Sequence, residues 1–595
     1  MFIDCRSYFA KYAEAGSRCF HSFSRGAGDR NGSPVSSTTL TALAARFPIV
    51  LLVISFATLV ALPAEVIQAD VCVYGGTSGG IAAAIQANRM GKRAVIVEPG
   101  KHLGGLTAGG LGATDIGNKA AIGGIAREFY QRVAQHYAQD AAWTLESRQD
   151  YFTRRGSGQA KASDLAAADA TMWTFEPHVA VMIFDRLIQE TKVPVYREER
   201  LVSVKRKGSR ITEIRTANGR GFRARVYIDA TYEGDLMAKA RVSCTVGREA
   251  NAEYGETLNG IRVETPKHQF TVAVDPYRKP GDPASGLLPF IQPGGLGKPG
   301  AGDRRVQAYN FRLCFTTNAA NRLPLTPPSN YEPARYELLA RYLEALVAAG
   351  RQPKLEEFWN PIWMPNGKTD INNNGGFSTD FIGANYGYAE ADYAQRARIG
   401  KEHEDYIRGF LTFLATSPRV PENMRAEMRQ WGPCQDEFVE TAGWPNQLYV
   451  REARRMVSDC VMTELHCRGT VQAEDPVGLA AYNMDSHNCQ RIVRNGRVEN
   501  EGDVQVPPMK PYPIAYRAIV PKAKECENLL VPVCLSATHI AYGSIRMEPV
   551  FMILGQSAAT AACLAIDRQV SVQNVDYGRL RSRLVADRQV LEWRL

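Results

Sequence analysis

A glycine-rich turn is the part of this sequence whose residue types most directly indicate chemistry. Gly75 and Gly80 occupy the first and third glycine positions of G-x-G-x-x-G, and Thr77 stands at the second. A pyrophosphate must approach backbone N–H groups at a helix N-terminus, and side chains on the turn would hold it away. Neighbouring Gly76 and Gly79 keep this turn sparse in side chains. The turn therefore predicts nucleotide binding.

The elements around this turn agree with a βαβ unit. Val71 to Tyr74 is a short apolar run, IAAAIQANRM then predicts a helix ending at Gly91, and AVIVE at 94–98 predicts a second buried strand. Glu98 lies 23 positions after Gly75, where dinucleotide folds place the acid that binds a ribose. This unit alone leaves NAD and FAD equally open.

Two later segments also predict a buried strand that ends at a possible cofactor site. The strand ARVYIDAT ends in Asp229, Ala230 and Thr231, and small residues at the C-terminal end of a strand permit close approach of a cofactor. Near the C-terminus, LLVPV predicts a buried strand, followed by a loop with His539, Arg546 and Glu548 and a helix from about Pro549. We predict that these segments join the first unit in one nucleotide domain.

Charge and cysteine content exclude some classes. The net charge of +9 is spread over 595 residues without a Lys/Arg block, so we predict no nucleic-acid partner. The twelve cysteines include no C-x-x-C, and no metal is indicated. If the protein is exported, four of them are candidates for pairing without a preferred connectivity: Cys434, Cys460, Cys467 and Cys489.

The apolar stretch 47–64, FPIVLLVISFATLVALPA, resembles a signal peptide cleaved between Ala61 and Ala69. A retained N-terminal anchor and a buried element are the alternatives. We therefore predict a secreted or periplasmic protein, with membrane attachment only if this segment stays uncleaved.

The middle region offers further candidates. DINNNGGFSTDF from Asp370 follows the order of a calcium loop but has Phe381 at the twelfth position, so it predicts a turn-rich loop. A predicted helix from Gln447 would place Arg451 and Arg455 on one face, able to clamp a carboxylate or a flavin oxygen. His487 lies between Asp485 and Asn488, a position as suited to a structural hydrogen bond as to catalysis.

Four long motifs together resemble the bacterial FAD-dependent oxidoreductase family with a glutathione-reductase-type FAD domain, some of whose members carry a xanthan lyase label. They begin YGGTSGGIAAA, IDATYEGDL, LYVREARRM and YGSIRMEPV. The resemblance implies that FAD is the cofactor. It implies the following contacts: the pyrophosphate at Gly75, Gly76, Ser78, Gly80, Ala230 and Thr231; the ribose at Glu98; the ribitol and flavin at Gly104, Gly105, Leu106 and Thr107; the adenine near Val202.

The expected fold class is α/β: a glutathione-reductase-type Rossmann FAD domain, discontinuous in sequence, with an inserted α+β substrate or cap domain. The expected boundaries are 1–69 leader, 70–245 first FAD part, 246–515 inserted region and 516–595 second FAD part. The catalytic candidates are His539 as first base, His487 as second, and Arg546 or Arg451 as substrate anchor.

The expected activity is hydride transfer from a small-molecule or carbohydrate-type substrate to FAD. A polysaccharide lyase or other carbohydrate-active protein with structural FAD is the alternative, because the aromatic, Asn-rich middle region suits a sugar platform. A non-catalytic nucleotide-binding scaffold is the third possibility. The sequence leaves the oligomeric state open.

Overall fold

The protein is described here by a computed structural model, over residues 65–154 and 169–594. The predicted signal segment at 47–64 lies outside these residues. Contacts join the described residues into one unit. The domain boundaries at 245 and 515 stay predictions.

The β-strands are short and distributed along the whole described chain. In chain order they are β1 Val66–Gln68, β2 Val71–Tyr74, β3 Ala94–Val97, β4 Val195–Tyr196, β5 Leu201–Lys207, β6 Arg210–Thr216, β7 Gly221–Arg223, β8 Val226–Asp229, β9 Cys244–Thr245, β10 Tyr277–Lys279, β11 Asp282–Leu287, β12 Leu313–Thr316, β13 Trp359–Met364, β14 Lys368–Asn373, β15 Gly432–Pro433, β16 Arg455–Met456, β17 Pro476–Ala480, β18 Met484–Ser486, β19 Gln490–Arg494, β20 Arg497–Glu501, β21 Val504–Val506, β22 Tyr512–Ala515 and β23 Leu529–Leu530.

The α-helices range from single turns to 24 residues. They are α1 Ser78–Arg89, α2 Gly105–Ala108, α3 Gly124–Tyr137, α4 Arg148–Thr153, α5 Pro177–Thr191, α6 Asp235–Lys239, α7 Asn251–Tyr254, α8 Glu337–Ala348, α9 Tyr393–Thr416, α10 Glu422–Met428, α11 Glu464–Cys467, α12 His539–Ile545, α13 Glu548–Arg568 and α14 Tyr577–Ala586.

A five-stranded parallel sheet in the order β23-β8-β2-β3-β4 forms the centre of the α/β part. Every residue of β2, β3 and β8 is buried, as expected for a parallel sheet covered on both faces. The predicted βαβ unit is thus confirmed, and the strands at 226–229 and 529–530 extend its sheet. The mixed α/β class with a parallel sheet is confirmed as well.

Helix α13 packs directly on α1 because both helices carry a glycine at their crossing. A Cβ on Gly555 would lie 2.0 Å from the carbonyl oxygen of Gly79, closer than any side chain permits. Among the described residues, α13 is the one helix long and apolar enough to span a membrane, and 94% of its most apolar window is buried inside the structure. Its burial explains its apolar composition, which is that of a core helix.

The inserted region contains an antiparallel sheet in the order β13-β14-β12-β15. The predicted turn-rich loop from Asp370 is wrong in its first half, because Asp370 to Asn373 belong to β14. Asp370 is fully buried and receives two 2.7 Å hydrogen bonds from Arg312. A buried ion pair in a central strand therefore overrode the local turn signal of the asparagines and glycines.

The predicted helix from Gln447 is also wrong, since residues 447–454 form an irregular segment, with one isolated bridge at Tyr449, that leads into β16. Its charged side chains point to separate buried partners instead of sharing one helical face. Arg451 pairs with Asp380 at 3.0 Å, and Arg455 pairs with Glu249 at 2.6 Å. Tertiary ion pairs here outweigh local helix propensity.

Candidate functional site

The first candidate site is a cleft where β2 ends and α1 begins. Gly75 adopts a φ of +101°, and a Cβ there would lie 2.7 Å from the backbone nitrogen of Thr231. Thr77, the residue at the second glycine position of the motif, caps α1: its Oγ1 accepts from the Gly80 N–H at 3.2 Å and donates to the Ala230 carbonyl at 2.8 Å. Threonine here therefore fixes the turn against the end of β8.

Glu98 stands at the cleft with both carboxylate oxygens engaged. Its Oε2 accepts from the Gly76 N–H and its Oε1 from the Gly100 N–H, each at 2.6 Å. Desolvation raises the pKa of Glu98 to about 7, although the two backbone donors act in the opposite direction. A carboxylate in this position has the acceptor oxygens that ribose hydroxyls require.

The cleft has a volume of about 230 Å³. Its walls come from the first predicted FAD segment and, at Tyr388, Tyr393, Arg396 and Gln447, from the inserted region. Five of the predicted cofactor residues line it: Gly75, Gly76, Glu98, Gly105 and Thr231. Val202 does not line it, because its side chain is 56% exposed on β5. Arg200, two residues earlier, lines the cleft instead.

The other predicted cofactor residues meet at a buried carboxylate beside the cleft. Ser78 Oγ and Thr107 Oγ1 donate to Glu548 Oε2 at 2.6 and 2.7 Å, and Tyr232 donates to Glu548 Oε1 at 2.7 Å. Leu106 N–H donates to the Tyr232 hydroxyl at 2.8 Å. Burial raises the pKa of Glu548, so this network links the starts of α1, α2 and α13 through a carboxyl that resists ionisation.

Gly104, Gly80 and Ala230 support these positions from the backbone. Gly104 donates its N–H to the Gly76 carbonyl at 2.8 Å, which joins the second glycine segment to the first. Ala230 donates its N–H to the Tyr74 carbonyl at 2.8 Å. The predicted cofactor residues other than Val202 thus lie at the cleft or directly against it.

The second candidate site is a polar cavity of about 570 Å³ in the inserted region. Seven of its lining residues carry side-chain carboxamides: Gln269, Asn360, Asn372, Asn373, Asn374, Asn483 and Gln505. Tyr482, His268, Asp485 and His487 also line it. Carboxamides both donate and accept hydrogen bonds, which makes this a wall suited to hydroxyl groups.

His487 is held at this cavity between two aspartates. Its Nδ1 lies 2.7 Å from Asp380 Oδ2, and its Nε2 lies 3.5 Å from Asp485 Oδ2. Burial and Arg451 lower the pKa of His487, but the two carboxylates outweigh them and raise it above its usual value. His268 lies near, with ring centroids 6.4 Å apart, and burial lowers its pKa to about 4.

Arg546 and Arg451 complete this cluster from the side away from solvent. Arg546 donates to Asp485 Oδ2 at 2.9 Å and to the Tyr449 hydroxyl at 2.8 Å. Against the effect of burial, Arg451 and His487 hold the pKa of Asp380 below its usual range. Asp485 behaves alike: despite burial, His487 and Arg546 lower its pKa. Three of the four predicted catalytic residues therefore meet through two aspartates.

His539, the first base candidate, lies outside this cluster. It begins α12, is 2% exposed, and has both ring nitrogens engaged: Nδ1 at 2.6 Å from Glu452 and Nε2 at 2.9 Å from Ser486 Oγ. Neither cavity described above is lined by it. Sequence reasoning had no signal for Asp380, because 107 positions separate it from His487.

One group in the described residues has the composition of a metal site: Glu176, His178 and Glu437. Lys368 reaches it, with Nζ 2.8 Å from Glu176 and 2.7 Å from Glu437. Lys368 and His178, whose Nδ1 lies 2.7 Å from Glu437, already pair with these carboxylates, so the cluster is accounted for as an ion-pair network.

Comparison with known proteins gives one family match. The sequence model of the family described as FAD dependent oxidoreductase matches residues 70–584. No curated protein matches the chain significantly.

Solved structures that resemble parts of the chain include three enzymes. A flavin-containing monooxygenase from Stenotrophomonas maltophilia is 18% identical over 27% of this chain and 38% of its own, with a TM-score of 0.17. The 3-ketosteroid-Δ4-(5α)-dehydrogenase of Rhodococcus jostii RHA1 is 18% identical over 31% and 50%, at 0.18. The L-amino acid deaminase of Proteus vulgaris is 16% identical over 31% and 54%, at 0.22. Likenesses of this size carry no argument about substrate.

Proposed function

The chain belongs to the family of FAD-dependent oxidoreductases, and on that premise we propose that it oxidises a polyhydroxylated, carbohydrate-type substrate at the polar cavity beside His487. FAD is its cofactor. When bound, FAD accepts a hydride from a substrate carbon that carries oxygen or nitrogen.

The residues of the cleft fit the nucleotide part of FAD. The turn at Gly75, Gly76 and Gly80 would receive the pyrophosphate at the positive end of α1, because it is free of bulky side chains. Glu98 would hold the ribose through its acceptor oxygens. These placements, and the glutathione-reductase-type arrangement with its inserted substrate domain, belong to the proposal.

The carboxamide side chains that line the cavity are the observation that supports a polyhydroxylated substrate. Hydroxyl groups need partners that donate and accept, and amide side chains supply both. Gln269 and Asn374 already bond backbone groups through both amide atoms, which leaves the other five amides for a substrate. The two arginines beside His487 are already paired, Arg451 with Asp380 and Arg546 with Asp485. They therefore orient the cluster, and substrate recognition is left to the amides, Tyr482 and His487.

We assign the proton-accepting role to His487 and not to His539. Asp380 at Nδ1 holds the proton on that nitrogen, which leaves Nε2 of the neutral ring as the acceptor for a substrate hydroxyl proton. The imidazolium formed is stabilised by Asp380 and Asp485 on its two sides. His539 has both ring nitrogens occupied, so we assign it to positioning Ser486 and Glu452.

Anaerobic mixing with a panel of neutral sugars, sugar acids, alcohols and amines tests this function. The proposal predicts bleaching of the oxidised flavin spectrum by members of the sugar groups. An unsaturated sugar product with an unchanged flavin spectrum would replace oxidation by a lyase reaction. Bleaching by amines alone would overturn the substrate class, and no bleaching by any compound would overturn the activity at this cavity.

A further inference from the structure

Two cysteines face each other across neighbouring strands of the inserted sheet. The register of β12 and β15 pairs Phe315 with Pro433 and Thr316 with Gly432, so the next position pairs Cys314 with Cys434. The Cys434 N–H donates to the Cys314 carbonyl at 3.1 Å, and the two sulfur atoms lie 3.8 Å apart. They are 120 positions apart in sequence.

Their surroundings isolate this pair from the rest of the core. Both side chains are fully buried, and with Met364 and Phe438 they form a small separate apolar cluster. Facing thiols in such a site need only side-chain rotation to bond, because the backbone already brings their Cβ atoms together across the ladder.

We propose that Cys314 and Cys434 form a disulfide that fastens β15 to the sheet carrying the wall of the polar cavity. This pairing differs from the sequence prediction, which grouped Cys434 with Cys460, Cys467 and Cys489. Cys489 lies instead against the carbonyl of His487, its Sγ 3.6 Å from that oxygen. Sequence spacing gave no reason to consider Cys314.

The proposed cross-link lies between the strands that shape the cavity and the segment that carries Glu437. On its other side β12 pairs with β14, whose Asn372 and Asn373 line the polar cavity. Three residues after Cys434, Glu437 accepts from Lys368 at 2.7 Å. The bond would therefore hold the segment that carries Glu437 against the strands that shape the cavity.

Formation of the bond removes two hydrogens and transfers two electrons. A disulfide-bearing oxidant of the thiol-exchange class accepts them: the first cysteine thiolate attacks it to give a mixed disulfide and one free thiol of the oxidant. The second cysteine then displaces the remaining oxidant thiol, and the protons of the two cysteine thiols end on the two thiols of the reduced oxidant. Because both sulfurs are buried in the folded protein, we expect this exchange to precede closure of β15 on β12.

Thiol mapping of the full-length protein tests the proposal directly. The protein is refolded with glutathione buffers that are either oxidised or reduced, free thiols are alkylated, and the unreduced protein is digested. We expect a peptide pair joined through Cys314 and Cys434, lighter by two hydrogens, in the oxidised sample alone. Alkylation of both cysteines after oxidising refolding, or a link from Cys434 to another cysteine, would overturn it.

Substitutions provide a second readout that does not depend on mapping. We expect dithiothreitol to lower the melting temperature of the oxidised wild-type protein, and to leave that of Cys314→Ser and Cys434→Ser unchanged. Cys563→Ser is the matched control, a buried cysteine in α13, and should respond to reductant as the wild type does. An equal response of Cys434→Ser and wild type would contradict the proposal.

Discussion

The nucleotide cleft and the polar cavity are built in different ways. Eight of the seventeen residues that line the cleft come from one stretch, 75–105, and the others precede β5, follow β8 or belong to the inserted region. The cavity is assembled from segments near 266–271, 360–375 and 482–505. A site built around one continuous stretch shows its chemistry as a sequence motif, whereas a site assembled only from distant segments shows no motif. A sequence can therefore predict a site of the first kind, but not one of the second kind.

The largest effect is expected from a substitution that blocks the cleft and leaves the cavity unchanged. Gly75→Val places a side chain 2.7 Å from the Thr231 nitrogen at a φ that favours glycine, so we expect purified protein to lose nearly all bound flavin. The measurement is the ratio of flavin absorbance to protein.

Gly91→Ala is the matched control for this variant. Gly91 also has a positive φ, +76°, but a Cβ there meets nothing within 4 Å. We expect it to cost about 1 kcal/mol of stability and to retain flavin. Equal flavin content in the two variants would contradict the assignment of the cleft.

The next effect concerns the cavity and its pH dependence. Because the pKa of His487 is raised and its neutral form accepts the proton, flavin reduction should rise with pH and level off above a value higher than the ordinary histidine pKa of about 6.5. Asp380→Asn removes the carboxylate at Nδ1, so the midpoint should move to lower pH by about one unit.

Stopped-flow reduction rates across pH measure this shift. Arg451 and Asp485 also act on His487, and both are kept in Asp380→Asn. The matched control is Asp392→Asn, which changes an exposed helix cap that lines neither cavity and should leave the midpoint in place. A midpoint that Asp380→Asn leaves unmoved would remove His487 from the proton-transfer step.

The smallest expected effect on FAD binding compares two residues that are two positions apart in sequence. Arg200 lines the cleft and Val202 is 56% exposed outside its lining, so Arg200→Ala should weaken FAD binding by about 0.5–1 kcal/mol and Val202→Ala should not change it. Titration of the apoprotein with FAD gives both affinities. Weaker binding in Val202→Ala alone would restore the adenine contact implied by the family resemblance.

Particular residues explain how much the sequence could predict. The strands around Gly75 and the helix that follows it were predicted closely, because continuous apolar runs and a glycine turn are local signals. Asp370 in β14 and Arg451 in an irregular segment were assigned wrongly, because distant partners, Arg312 and Asp380, determine their conformation.

Distant partners also explain why the sequence could not distinguish the roles of His487 and His539. Both stand beside polar neighbours in sequence, and their burial and partners appear only when the chain is folded. His539 is enclosed by Glu452 and Ser486, whereas His487 reaches the cavity. Glu548, given no role from the sequence, joins Ser78, Thr107 and Tyr232 for a similar reason.

The central claim is that His487 accepts the substrate proton at the polar cavity. The most direct test is the anaerobic rate of flavin reduction in His487→Gln, compared with wild type, using the sugar that bleaches the flavin fastest. The account predicts a rate lower by about 10²- to 10⁴-fold with an unchanged amount of bound oxidised flavin. A rate within a few-fold of wild type would contradict it.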